Sequence, residues 1–129
     1  MASLIYLDTH VVAWLFSDRV DLLPAGARAR IEESDLLISP AVKLELQYLY
    51  EIRRITASGE HIVNTLEKEL ALKICDLAFL EVIDAALLAS WTRDPFDRLI
   101  ASQATLRGAT LLTRDRDLLT HCEWAEWPL

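Results

Sequence analysis

The sequence predicts an α/β fold, a mostly parallel sheet covered by helices on both faces. Two observations lead there. Short apolar runs alternate along the chain with longer stretches whose apolar residues recur at helical spacing. The chain has 129 residues, 53% hydrophobic and 26% charged, with no internal repeat, low-complexity tract or linker. That is the size and balance of one domain (residues 1–129) with one core.

Leu4-Ile5-Tyr6-Leu7 has the look of a buried strand and ends at Asp8. Thr9 then caps a helix carried by Val11, Val12, Trp14, Leu15 and Phe16. Residues 24–33 read as a second, short helix. Leu36-Leu37-Ile38-Ser39 is the next strand, with Pro40 at a helix start. Two longer helices follow, roughly 41–56 and 60–75, broken at Ser58-Gly59. Ala78-Phe79-Leu80-Glu81-Val82 reads as a third strand and 84–91 as a short helical stretch. Asp94-Pro95 opens a helix that ends near Gly108, and Thr110-Leu111-Leu112-Thr113 is the last clear strand. The tail, 122–129, adds an edge strand.

Composition narrows the chemistry. Cys75 and Cys122 lie far apart, without a second cysteine or a histidine nearby at ligand spacing, which argues against zinc and for reduced thiols in a cytoplasmic protein. The first residues lack the basic and long apolar regions of a signal peptide, and no apolar run is long enough for a membrane span. A net charge of −7 counts against binding through a broad basic surface, although carboxylates that hold a metal add negative charge. Three glycines leave little material for a phosphate loop, and no nucleophile-elbow serine is present. Trp14, Trp91, Trp124 and Trp127 read as core or interface residues rather than a base-stacking platform.

Ligands of open parallel sheets bind beyond the carboxyl ends of the strands, and acids stand at those places. Asp8 follows the first strand; Asp115 and Asp117 follow the last. Glu45 shares a helical row with Ala41, Leu49 and Ile52, so a carboxylate interrupts an apolar stripe. An unpaired buried charge is costly, so Glu45 needs a cation, a hydrogen-bond partner or a groove. Asp94 and Asp97 open the helix before the last strand; Asp94 reads first as a cap, whereas Asp97 shares a face with Ile100, Ala101, Ala104 and Gly108. Asp8 also suits a helix cap, Glu45 an ion pair with an arginine, and the 113–117 segment a solvated turn. Carboxylates without cysteine or histidine partners suit hard cations such as Mg2+ or Mn2+. Arg93, Arg98, Arg107, Arg114 and Arg116 are near the acids in sequence and are equally suited to phosphate or to carboxylate partners.

Leu7-Asp8-Thr9-His10, Ile38-Ser39 leading to Glu45, Arg93-Asp94-Pro95-Phe96-Asp97-Arg98-Leu99-Ile100-Ala101 and Leu112-Thr113-Arg114-Asp115 together resemble the ordered motifs of PIN domains. The Asp-Pro-Phe-Asp-Arg-Leu-Ile-Ala run is especially similar to the VapC toxin branch. The resemblance implies a three-layer α/β/α sandwich and an acidic site of Asp8, Glu45, Asp97 and Asp115 holding Mg2+ or Mn2+. It makes Thr9 and Asp117 auxiliaries; Asp94 and Thr113 are further auxiliary candidates, and Arg98, Arg114 and Arg116 are the candidate phosphate contacts. Implied activity is endoribonuclease cleavage by metal-activated water, leaving a 5′-phosphate and a 3′-hydroxyl. The implied partners are RNA, a second copy of the chain and a VapB-like antitoxin whose tail enters the acidic groove. Spacing leaves open whether Asp115 or Asp117 is the fourth acid.

Two other readings compete. A non-catalytic PIN scaffold would bind a protein partner without cleaving RNA. A haloacid-dehalogenase-type phosphatase also begins with strand and Asp, but it needs a second Asp where His10 stands and a well-placed lysine.

Overall fold

The computed structural model describes residues 3–129; Met1 and Ala2, the start of the segment read for a leader, lie outside them. Strands β1 (Ser3–Leu7), β2 (Ser34–Ile38), β3 (Lys73–Ile74), β4 (Thr110–Leu112) and β5 (Ala125–Glu126) form a five-stranded sheet in the order β3-β2-β1-β4-β5. Every pairing is parallel, with Ile5 opposite Leu36 on one side and Leu7 opposite Leu112 on the other. The central strands are near-continuous apolar runs because both faces are covered: Ile5, Tyr6, Ile38, Leu111 and Leu112 are wholly buried.

Helices flank the sheet: α1 (Thr9–Phe16), α2 (Ala25–Glu33), α3 (Pro40–Glu51), α4 (Gly59–Leu70), α5 (Phe79–Ala86), α6 (Pro95–Arg107) and α7 (Arg116–His121). Strand order runs outward from β1 to β3 and then returns to the far side of β1. Right-handed crossovers therefore lie on opposite faces, and the direction reverses between β1 and β4. At that reversal a crevice opens beyond the carboxyl ends of the strands. Helix α3 packs on α1, α4 and α6, so it overhangs this crevice. Its approach to α4 is close: a side chain at Gly59 would place Cβ 2.5 Å from the carbonyl oxygen of Lys43. No helix among the described residues is long and apolar enough to cross a membrane.

Three expectations need correction. The strand expected at 78–82 is the start of α5, and the third strand is Lys73–Ile74, inside the helix expected over 60–75. Helix α4 stops because Ala71 adopts the left-handed conformation, φ 55°, and returns its N–H to Leu66. The apolar run of α5 is not buried strand but an amphipathic helix whose Phe79 and Leu80 face outward at 75% and 69% exposure. The helix expected over 41–56 ends at Glu51, where Arg53 turns to positive φ and Arg54 donates back to Leu49. Helix α7, in the segment after β4, was not foreseen. Within α4, Ile62, Val63 and Leu66 are core residues.

Candidate active site

Asp8 leaves the end of β1 and Asp115 lies just past β4, so the reversal of strand order sets them together. Glu45 enters from the second turn of α3, and Asp94 and Asp97 from the start of α6. These five acids, with Thr9, His10 and Leu49, line one cavity of about 170 Å³. Asp117 is exposed in the first turn of α7 and does not line it, so geometry distinguishes the two acids that spacing left open.

Hydroxyls and amides fix the carboxylates. Asp8 is 3% exposed and accepts from the Thr9 amide at 2.8 Å and from the Thr113 hydroxyl at 2.6 Å. Asp8 therefore does cap α1, but its second oxygen is oriented from β4. The Thr9 hydroxyl donates to Glu45 Oε1. Thr113 Oγ1 also accepts from the Asp115 amide at 3.0 Å, and Asp115 Oδ1 accepts from the Leu118 amide at 3.0 Å, capping α7. Asp94 caps α6 through the amides of Phe96 and Asp97, at 2.8 and 3.3 Å. The same side chains thus start helices and face the cavity.

The cavity is electrostatically unbalanced. Burial, reinforced by Asp94, Asp8, Asp115 and Glu45, raises the Asp97 carboxyl from 3.8 to about 8. Burial also lifts Glu45 to about 7, against the lowering effect of the Thr9 hydroxyl and with added repulsion from Asp8, Asp94 and Asp115. Among the described residues no lysine or arginine forms an ion pair with any of the five acids, so Glu45 has no arginine partner. Nor, among them, do three acidic, histidine or cysteine side chains converge closely enough to hold an ion as they stand.

His10 closes one side. Its Nε2 accepts the Arg114 amide at 3.1 Å, which requires that nitrogen to be unprotonated and puts the proton of the neutral ring on Nδ1, 3.4 Å from Asp8 Oδ2. Burial lowers its pKa, consistent with the neutral ring, although Asp8 and Asp115 pull the other way. Arg114 is exposed and lays its guanidinium over Trp14, 5.2 Å from the ring centroid. Arg98 instead turns inward, donating to the carbonyls of Thr92 at 2.9 Å and Ala86 at 3.5 Å, so it ties the α5–α6 connection together. Arg116 is exposed at the start of α7. Trp14 was missed at this site; its one signal was a spacing of four from His10, a single helical turn.

An all-parallel sheet whose switch point opens on five carboxylates, with no lysine or arginine among the described residues ion-paired to them, defines a class: α/β proteins with a polyacidic site at the strand ends. Comparison with known proteins narrows that class. The family model described as PIN domain matches residues 5–123. A curated relative, "Ribonuclease VapC22" of Mycobacterium tuberculosis, is 33% identical over 121 residues, 91% of each chain. Among solved structures, VapBC2 from Rickettsia felis, bound to a promoter DNA fragment, superposes with a TM-score of 0.65 at 20% identity, over 98% of this chain and 99% of the other. A toxin–antitoxin complex from Klebsiella pneumoniae gives 0.66 at 18% identity, over 95% of each. The chain belongs to the PIN-domain family, in its VapC branch.

Proposed function

We propose that this chain is a divalent-metal-dependent endoribonuclease, the toxin of a toxin–antitoxin pair. The carrying observation is the cavity at the β1–β4 switch point, where five carboxylates meet and no lysine or arginine among the described residues pairs with them. An all-oxygen donor set with two carboxyls held near neutral pKa fits a hard ion such as Mg2+ or Mn2+. Asp8, Glu45, Asp97 and Asp115 would hold it. Such an ion, when bound, polarises a phosphodiester and makes water a nucleophile at neutral pH. The residues supply the rest: Thr9 and Thr113 orient Glu45 and Asp8, Asp94 fixes the first turn of α6 beneath Asp97, and Arg114 and Arg116 present cations to the RNA backbone beside the acids.

Relatives of this chain are known in complex with antitoxins, and an apolar strip here suits a protein partner. Leu44 of α3, Phe79 and Leu80 of α5, and Leu87 and Leu88 just after it are 61–83% exposed. Beside them a groove of about 230 Å³ has Gln103 on its floor, only 3% exposed, with its side-chain oxygen unbonded. An antitoxin or a second copy would cover the strip, and an antitoxin arginine would neutralise the acid cavity.

The test is cleavage of a mixed RNA pool by purified, antitoxin-free protein with Mg2+, Mn2+ or EDTA, beside Asp8→Ala and Asp97→Ala. Metal-dependent cleavage lost in both variants is expected, by roughly a hundredfold or more. Folded protein inert with every divalent ion would instead mark a scaffold that binds partners without cutting.

A further inference from the structure

Beside the acid cavity lies a second one of about 300 Å³, lined by His10, Trp14, Arg114 and Asp115. The two share His10 and Asp115, so the second adjoins the first. Its wall is aromatic and cationic. Trp14 packs against His10 at 4.9 Å and Trp127 at 6.1 Å between centroids, and Arg114 covers the indole. Arg114 has no carboxylate partner among the described residues. A phosphate alone would need only the guanidinium. Indole and guanidinium together offer the π surface that an unstacked nucleobase uses.

We infer that this cavity seats the base of the nucleotide next to the cleaved bond, stacked against the Trp14–Arg114 surface. The inference rests on the nuclease reading and adds to it a requirement for an unpaired base at one flanking position. His10 couples the two sites, since its ring touches Trp14, accepts from the Arg114 amide and faces Asp8. A base seat on the same loop that carries Asp115 therefore fixes the register of the strand over the acids.

The experiment walks a single abasic nucleotide along a short single-stranded RNA that the protein cuts, or along a generic one if it cuts none. Binding is read by fluorescence anisotropy in Mn2+, using Asp97→Asn to prevent cleavage, with Trp14, Trp14→Ala and Trp14→Phe in that background. One flanking abasic position should weaken binding roughly five- to a hundredfold with Trp14. In Trp14→Ala the same lesion should cost about twofold or less, and Trp14→Phe should restore the penalty. Arg114→Ala, at an exposed position, should also shrink the penalty and decides the matter if Trp14→Ala fails to fold. A flat abasic scan, or a penalty unchanged in both alanine variants, overturns the base seat. If the wild type cuts RNA while the scan is flat, only the seat falls. If it cuts nothing but the penalty appears, the nuclease reading falls and the cavity is left as a base seat on a surface that binds RNA without cleaving it. No binding of any RNA overturns both.

Discussion

Asp97 meets the charges of Asp94, Asp8, Asp115 and Glu45 across a cavity where no lysine or arginine among the described residues pairs with them, and burial with that repulsion raises its proton affinity. The consequence for stability has a definite sign. Unfolded, its carboxyl titrates near 3.8; folded, near 8, so the folded state holds the proton more tightly. The resulting stabilisation is complete below the unfolded value and is lost as pH rises through 8. Glu45, moved from 4.5 to about 7, acts in the same direction. Metal-free protein should therefore lose melting temperature between pH 5 and 8, and Asp97→Asn should flatten that decline. Mn2+ should raise the melting temperature more at pH 8 than at pH 5, because protons compete for the same oxygens. Scanning calorimetry across that range checks both; a melting temperature independent of pH and metal would exclude an uncompensated acid cluster. The acids were legible in sequence because a charge ending an apolar run or breaking an apolar stripe is expensive unless used. Arginine roles were not legible, because Arg98 and Arg114 look alike in one dimension. Only the fold turns one toward backbone carbonyls and leaves the other on an indole a hundred residues distant in sequence.

At the scale of elements, the helices that carry Glu45 and Asp97 are positioned by small residues and caps. Gly59 lets the first turn of α4 press on α3, the helix bearing Glu45. Gly59→Ala would bring Cβ against backbone at Lys43 and Gln47, which cannot move aside cheaply. We expect a loss of about 1–3 kcal/mol, read by urea denaturation, and weakened activity as α3 shifts. Outward apolar residues after α5 make a separate prediction. Leu88 is 83% exposed, so Leu88→Asp should leave folding intact while reducing self-association or antitoxin binding at least tenfold, measured by light scattering and titration calorimetry. Unchanged assembly would exclude this strip as the partner surface. The β1, β2 and β4 runs were readable because buried parallel strands are short and apolar, and an acid follows β1 directly and β4 within three residues. Strand β3 was not, since it has two residues and the preceding helix ends at an alanine, where sequence signals expect glycine or asparagine. The 78–82 run misled for the opposite reason: its apolar residues serve a surface rather than the core.

Across the whole molecule, the reversal of strand order makes residues from both ends of the chain neighbours. Asp8 receives its orienting hydrogen bond from Thr113, 105 positions later, and the Asp8 amide itself donates to Leu112 at 3.1 Å. Fragments ending before Thr110 lack β4, the Thr113 hydroxyl that donates to Asp8, and the Asp115 carboxylate. They should show no cleavage even at high concentration, whereas full-length protein refolded alongside them should cut; an active fragment would contradict the assignment of Asp115 and Thr113. This topology has a consequence for the timing of synthesis. While the polypeptide is still being made, every acid through Asp97 can have emerged and the catalytic cavity still cannot close. A chain made only as far as Asp97 therefore holds four of the five acids without the cavity that gathers them. The site comes into being only with the pairing of β4 on β1, late in the order in which the chain emerges.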